Sequence, residues 1–95
     1  MPPAADPYRT VASQLLAVLA DAGRPMSLRD LECSGRIAGA DAVRQLSIAR
    51  LAGFVQPVAR LAGPRHEPAY RPTPFGELIA RRSRAHAAAR EERVA

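Results

Sequence analysis

Between Gly53 and Arg82 the chain changes its periodicity twice, and few folds accommodate that order of changes. Phe54-Val-Gln-Pro-Val-Ala-Arg-Leu61 is rich in β formers and bounded by Gly53 and Gly63. Ala62-Gly-Pro-Arg-His-Glu-Pro68 has the composition of a turn, and Ala69-Tyr70-Arg71 supplies a return strand. Thr73 then precedes Pro74, the arrangement of an N-cap followed by proline at the first helical position, where its missing N–H costs nothing. Phe75, Leu78 and Ile79 give that helix one apolar face. Pro57 removes one ladder donor and so confines its strand to an edge or a bulge. Two short strands around a basic tip bury little by themselves and must lean on helices.

Those helices are legible upstream. From Tyr8 to Ala22, Val11, Ala12, Leu15, Leu16, Val18, Leu19 and Ala22 recur at helical spacing, with Pro7 at the start and Gly23 placed to end the helix. Arg24-Pro-Met26 is a connector, and Ser27 with Asp30 forms a capping box that uses the shorter acid. The second helix points Leu28 and Leu31 inward and ends near Cys33; Ser34-Gly35 is the turn, and Ile37 plugs the core beneath it. The third helix runs from about Ala40 to Ala52, with an inward stripe of Val43, Leu46 and Ala49 or Arg50, and Gly53 as terminator. Ile48 and Leu51 lie off that stripe, placed to touch the first or last helix; Asp41, Arg44, Gln45 and Ser47 face outward. Residues 1–7 read as a disordered lead-in, 8–84 as one domain, and 85–95 as an Ala/Arg/Glu-rich helical extension or frayed tail.

The phrase Tyr70-Arg-Pro-Thr-Pro-Phe-Gly-Glu-Leu78 resembles the Tyr-x-Leu-Thr-x-x-Gly-x-x-Leu phrase that closes the wing in several families of small bacterial regulators. Over roughly residues 8 to 82 the chain is similar to the winged helix–turn–helix regulators of the MarR, PadR and ArsR kind. The resemblance implies a mainly α fold with a small β-hairpin wing (α+β): three helices, two strands, then a fourth helix. It also implies double-stranded DNA as partner and a homodimer. In such a dimer Phe75, Leu78, Ile79 and Arg82 on the last helix are interfacial; alternatively the apolar three cover the domain's own core.

Charge agrees with a polyanionic partner. The net charge is +5, and all fourteen basic residues are arginine. Residues 1–27 are balanced, whereas residues 54–95 carry eight arginines against four acids. Codon bias in a GC-rich genome accounts for the missing lysine, but not for this distribution. On the third helix, Arg44 can donate twice to guanine and Gln45 can pair with adenine, each contact giving about 1–3 kcal/mol of discrimination. Asp41 either caps the helix or accepts from a cytosine amino group, and capping is favoured. Arg60, Arg65, His66 and Arg71 cluster on the hairpin, placed for phosphates or, for Arg65, the minor groove. Ser27, Arg29 and Arg36 sit where a helix start and the turn can meet the backbone. The bland alternatives are a solvated helix face and a polar loop.

Other chemistry finds little support. Cys33, His66 and His86 are the only soft ligands and have no paired metal spacing, so neither a metal nor another cofactor is expected. Cys33 reads as a small buried thiol rather than a redox sensor. Catalytic motifs are missing, and an enzyme is not expected. The single cysteine suits a reducing cytoplasm, no apolar run is long enough for a membrane, and the first residues do not read as a signal peptide. Two functions remain: a sequence-specific regulator, acting as a repressor that occludes a promoter, or a winged-helix module for protein–protein assembly.

Overall fold

The computed structural model describes residues 9–58 and 68–94. Its elements are α1 (Ser13–Ala22), β1 (Met26–Ser27), α2 (Leu28–Cys33), α3 (Gly39–Ala52), β2 (Val55–Val58), β3 (Ala69–Pro72) and α4 (Pro74–Val94). The expected order of three helices, two strands and a helix holds, with β1 added between the first two helices. Strand β1 is too short to leave a periodic signal. It converts the hairpin into a three-stranded antiparallel sheet of order β1-β3-β2. Met26 pairs with Tyr70 on one side of β3, and Pro57 pairs with the same Tyr70 on the other. Pro57 therefore lies on an outer strand, where its missing donor is tolerated.

The first helix begins later than apolar spacing predicts. Thr10 N–H donates to Ser13 Oγ at 2.7 Å, while Thr10 Oγ1 accepts from Ala12 N–H at 3.2 Å. This reciprocal box holds Val11 in an exposed turn, and the helix starts at Ser13. Tyr8 lies outside the described residues. The second helix carries the expected capping box: Ser27 Oγ accepts from Asp30 N–H at 3.1 Å and Asp30 Oδ2 accepts from Ser27 N–H at 3.0 Å. Gly23 and Gly53 end α1 and α3 in the left-handed conformation, with φ of 63° and 77°, which a side chain would disfavour.

Leu15, Leu16 and Leu19 of α1 pack with Leu31, Ile37, Leu46, Phe54, Val55, Met26 and Tyr70 in one core. Ile37 does plug the core beneath the turn. Cys33 does not fill a gap there: it is exposed on the last turn of α2, while Leu31 of the same helix is buried.

A set of short hydrogen bonds joins α3, β2 and α4. Phe54 N–H donates to Ala49 O at 2.8 Å and Thr73 N–H donates to Phe54 O at 2.9 Å. Thr73 Oγ1 donates to Gly53 O at 2.6 Å and accepts from Gly76 N–H at 3.1 Å, so Thr73 caps α4 as its sequence position predicts. Gly76 is buried against this cluster, and a Cβ there would run into the Phe54 carbonyl. The threonine–glycine spacing of the phrase thus lets α4 cross directly over the start of β2. Beyond Arg84, Ala85, Ala87, Ala88 and Ala89 are exposed, so the far part of α4 buries little.

Candidate nucleic-acid interface

Helix α3 is rotated by about one position from the expected stripe. Ala42, Gln45, Leu46 and Ala49 face the core, whereas Val43 and Arg50 of the expected stripe are exposed. The outward face is Ala40, Val43, Arg44, Ser47 and Leu51. These residues are spaced three and four apart, or adjacent, on one side of the helix.

Gln45 is the main correction. Its place beside Arg44 predicts an outward side chain, but it is only 4% exposed. Its Oε1 accepts from Leu15 N–H at 3.0 Å, and its Nε2 donates to Gln14 Oε1 at 2.9 Å. Leu15 is in the first turn of α1, where backbone N–H groups have no partner within the helix. A side chain from α3 therefore completes the start of α1, and Gln45 is unavailable to bases. Ser27 is a second correction: it is 1% exposed and committed to its capping box, so phosphates do not reach it. Asp41 makes no capping bond, since Ala38 is the N-cap of α3. It stands half-buried in the first turn and pairs with Arg44 at 3.6 Å.

Arg44, Ser47 and Arg29 are exposed as expected. Arg36 is exposed but engaged: it donates to Asp21 Oδ2 at 2.8 Å, and Arg84 of α4 donates to Asp21 Oδ1 at 2.8 Å. One carboxylate at the end of α1 thus binds the turn before α3 to α4, a link that no local pattern announces. The Arg36 hydrogen bond holds the Asp21 carboxyl below the usual range, against partial desolvation, and the charges of Arg36 and Arg84 add to the lowering. Arg71 is exposed on β3 opposite Gln56. The Gln56 amide oxygen, turned toward the guanidinium, accepts from Nη2 at 2.9 Å and Nε at 2.7 Å. Arg50 lies over the Tyr70 ring at 5.7 Å. Arg60, Arg65 and His66 lie outside the described residues.

On α4, Phe75 is 51% exposed although its ring lies 5.3 Å from that of Phe54. Leu78 and Arg82 are exposed beside it, whereas Ile79 turns inward against the core. Arg24, Arg71, Arg81 and Arg84 ring an open groove of about 560 Å³ with Glu77, and no residue of α3 lines it. Among the described residues there is no group of three side chains suited to a metal, and no helix is long and apolar enough to cross a membrane.

No protein-family model and no curated protein matches the chain. Solved structures do, at low identity. The adhesin competence repressor of Streptococcus pyogenes is 13% identical with a TM-score of 0.69, over 88% of this chain and 60% of its own. MepR, a transcription regulator of the Staphylococcus aureus multidrug efflux pump MepA, is 10% identical with a TM-score of 0.72, over 90% and 62%. A MarR-family transcriptional regulator from Silicibacter pomeroyi is 24% identical with a TM-score of 0.67, over 90% and 59%. The chain therefore has a winged-helix fold, shared with these three proteins, and spans about three-fifths of their length.

Proposed function

We propose that this chain is a sequence-specific double-stranded DNA-binding transcription regulator that represses by occluding a promoter. The observation that carries the reading is the outward face of α3, where Arg44 and Ser47 stand away from the core in the second and third turns of the helix. A helix–turn–helix offers this part of its second helix to base edges in the major groove. Arg44 is assigned to a guanine. Arg29, Arg71 and the arginines between the two wing strands are assigned to phosphates, with Arg36 joining them if it leaves Asp21. Likeness in fold to transcription regulators supports the same assignment. Residues 8–84 act as the DNA-binding module in a reducing cytoplasm, and the exposed Phe75, Leu78 and Arg82 stripe of α4 pairs two copies.

The test is a gel-shift titration of the chain against the DNA upstream of its own gene, beside a scrambled duplex. At about 0.15 M salt, purely electrostatic binding is weak, with a dissociation constant of about 10⁻⁴–10⁻⁶ M. Much tighter binding to one duplex alone is expected. Equal weak binding to both removes autoregulation at that promoter and favours a protein partner. That second reading has one observation on its side: Val43 is 48% and Leu51 90% exposed on the face that would meet bases.

A further inference from the structure

Val43 is the anomaly on the outward face of α3. Its isopropyl group is 48% exposed, while Ala42 before it is fully buried. It stands next to Arg44, three residues from Ala40 and four from Ser47, all exposed. The helix opens with Ala38-Gly39-Ala40, also exposed, so no bulky side chain holds its first turn away from a groove floor. That opening matters because a side chain as short as valine reaches a base edge only when the helix backbone comes close. Asp41 stands one turn before Arg44 and pairs with its guanidinium at 3.6 Å.

In the major groove, the apolar feature that distinguishes one base from the others is the C5 methyl of thymine, and a forked guanidinium matches guanine O6 and N7. We propose that Val43 packs on a thymine methyl beside the guanine that Arg44 reads, so that these adjacent residues select a thymine–guanine combination. The inference rests on the DNA-reading role proposed above and adds the base composition at the centre of each contact. Adjacent residues advance about 1.5 Å along the helix axis and base pairs about 3.4 Å along the duplex, so both contacts fall within about two base pairs. Leu51, on the same outward face, lies about 12 Å further along the axis, beyond the two base pairs that Val43 and Arg44 reach.

Removing one methyl group from the DNA is the direct test. The full chain selects its preferred duplexes from a randomised pool at about 0.15 M salt, where electrostatic binding alone is weak. Each thymine of the selected site is then replaced in turn by deoxyuridine, and affinities are read by fluorescence anisotropy. One thymine per recognition helix, within two base pairs of a required guanine, is expected to be sensitive. Loss of its methyl weakens binding about fourfold, the factor for one buried methylene-sized group. Val43→Ala weakens binding to the thymine duplex by a similar factor and no longer distinguishes thymine from deoxyuridine. Arg44→Ala loses the guanine preference but keeps the deoxyuridine penalty. Because Val43 is exposed, its alanine variant folds, and a circular dichroism melt checks this. Wild-type binding that is indifferent to every deoxyuridine overturns the inference, as does a penalty that persists in Val43→Ala. A pool with no enriched sequence is a different failure: it overturns the DNA-reading role itself, and this inference falls with it.

Discussion

Replacing Gly76 with alanine tests the junction that joins α3, β2 and α4. The added Cβ would stand 2.9 Å from the Phe54 carbonyl carbon and 3.2 Å from its Cα, and closer still to its oxygen. These are backbone atoms, so no flexible side chain can swing aside. Phe54 cannot retreat freely either, because its N–H is held by Ala49 O at 2.8 Å and its carbonyl by Thr73 N–H at 2.9 Å. Overpacking of this kind costs about 1–3 kcal/mol. A hydrogen bond lost or stretched at Thr73 adds about 1 kcal/mol, which the better helix propensity of alanine offsets by about the same amount. The net expectation is a loss of about 1–3 kcal/mol. At the midpoint of that range, melting falls by about 8–16 °C for a domain of this size. Gly39→Ala is the matched control, since the nearest atom outside its own helix is Glu32 Cγ at 3.9 Å, an ordinary contact. It should be neutral or stabilising by up to about 1 kcal/mol. Thermal and urea unfolding are followed by far-ultraviolet circular dichroism, at equal protein concentrations because assembly shifts the midpoint. A Gly76→Ala variant as stable as the parent would refute the close approach of α4 to Phe54.

Gln45→Ala removes the acceptor for Leu15 N–H, leaves that buried donor unmatched, and should cost about 1–3 kcal/mol in the same unfolding assays. Its selected DNA sequence, read by pool sequencing, should match the parent's; a changed base preference would contradict the inward placement. Arg44→Ala should lose about 1–3 kcal/mol of preference for one base in competition titrations, with little change in stability. Asp21 has a lowered pKa in the fold, so its contribution is present above the unfolded value of about 3.9 and is lost as pH falls through the folded value. The stability difference between the parent and Asp21→Asn should therefore shrink as the pH drops below about 4. A difference that grows on acidification would contradict the clasp with Arg36 and Arg84.

The parts that were legible in the sequence are those written in local chemistry. Thr73-Pro74, Ser27 with Asp30, and the glycines after α1 and α3 signal element ends within a few residues, and each ends or starts an element as read. Pro57 marked an outer strand for the same reason. The parts that were not legible depend on distant partners. A stripe drawn by hydrophobicity prefers Val43 to Gln45 as an inward residue. The order reverses because the start of α1 needs an acceptor, which the Gln45 amide provides from thirty residues away. The same rotation puts Val43 and Leu51 in solvent. Asp21 lies far along the chain from Arg84, so their ion pair has no signature in spacing. On α3 the outward placement of Arg44 and Ser47 was legible in the sequence, whereas that of Val43 and the inward turn of Gln45 were not.

Strand β3 is paired along both of its flanks, to β1 through Ala69 and Tyr70 and to β2 from Ala69 to Pro72. Its register is therefore fixed by contacts inside the domain and does not depend on the ten residues, 59–68, that join β2 to it. Loop-closure entropy grows only logarithmically, so doubling such a connection costs about 0.6 kcal/mol. Lengthening or shortening it leaves Tyr70 in the core and Thr73 at its junction. Natural variation can thus change how far the hairpin extends at almost no cost in folding, while a single added residue inside β3 would displace both.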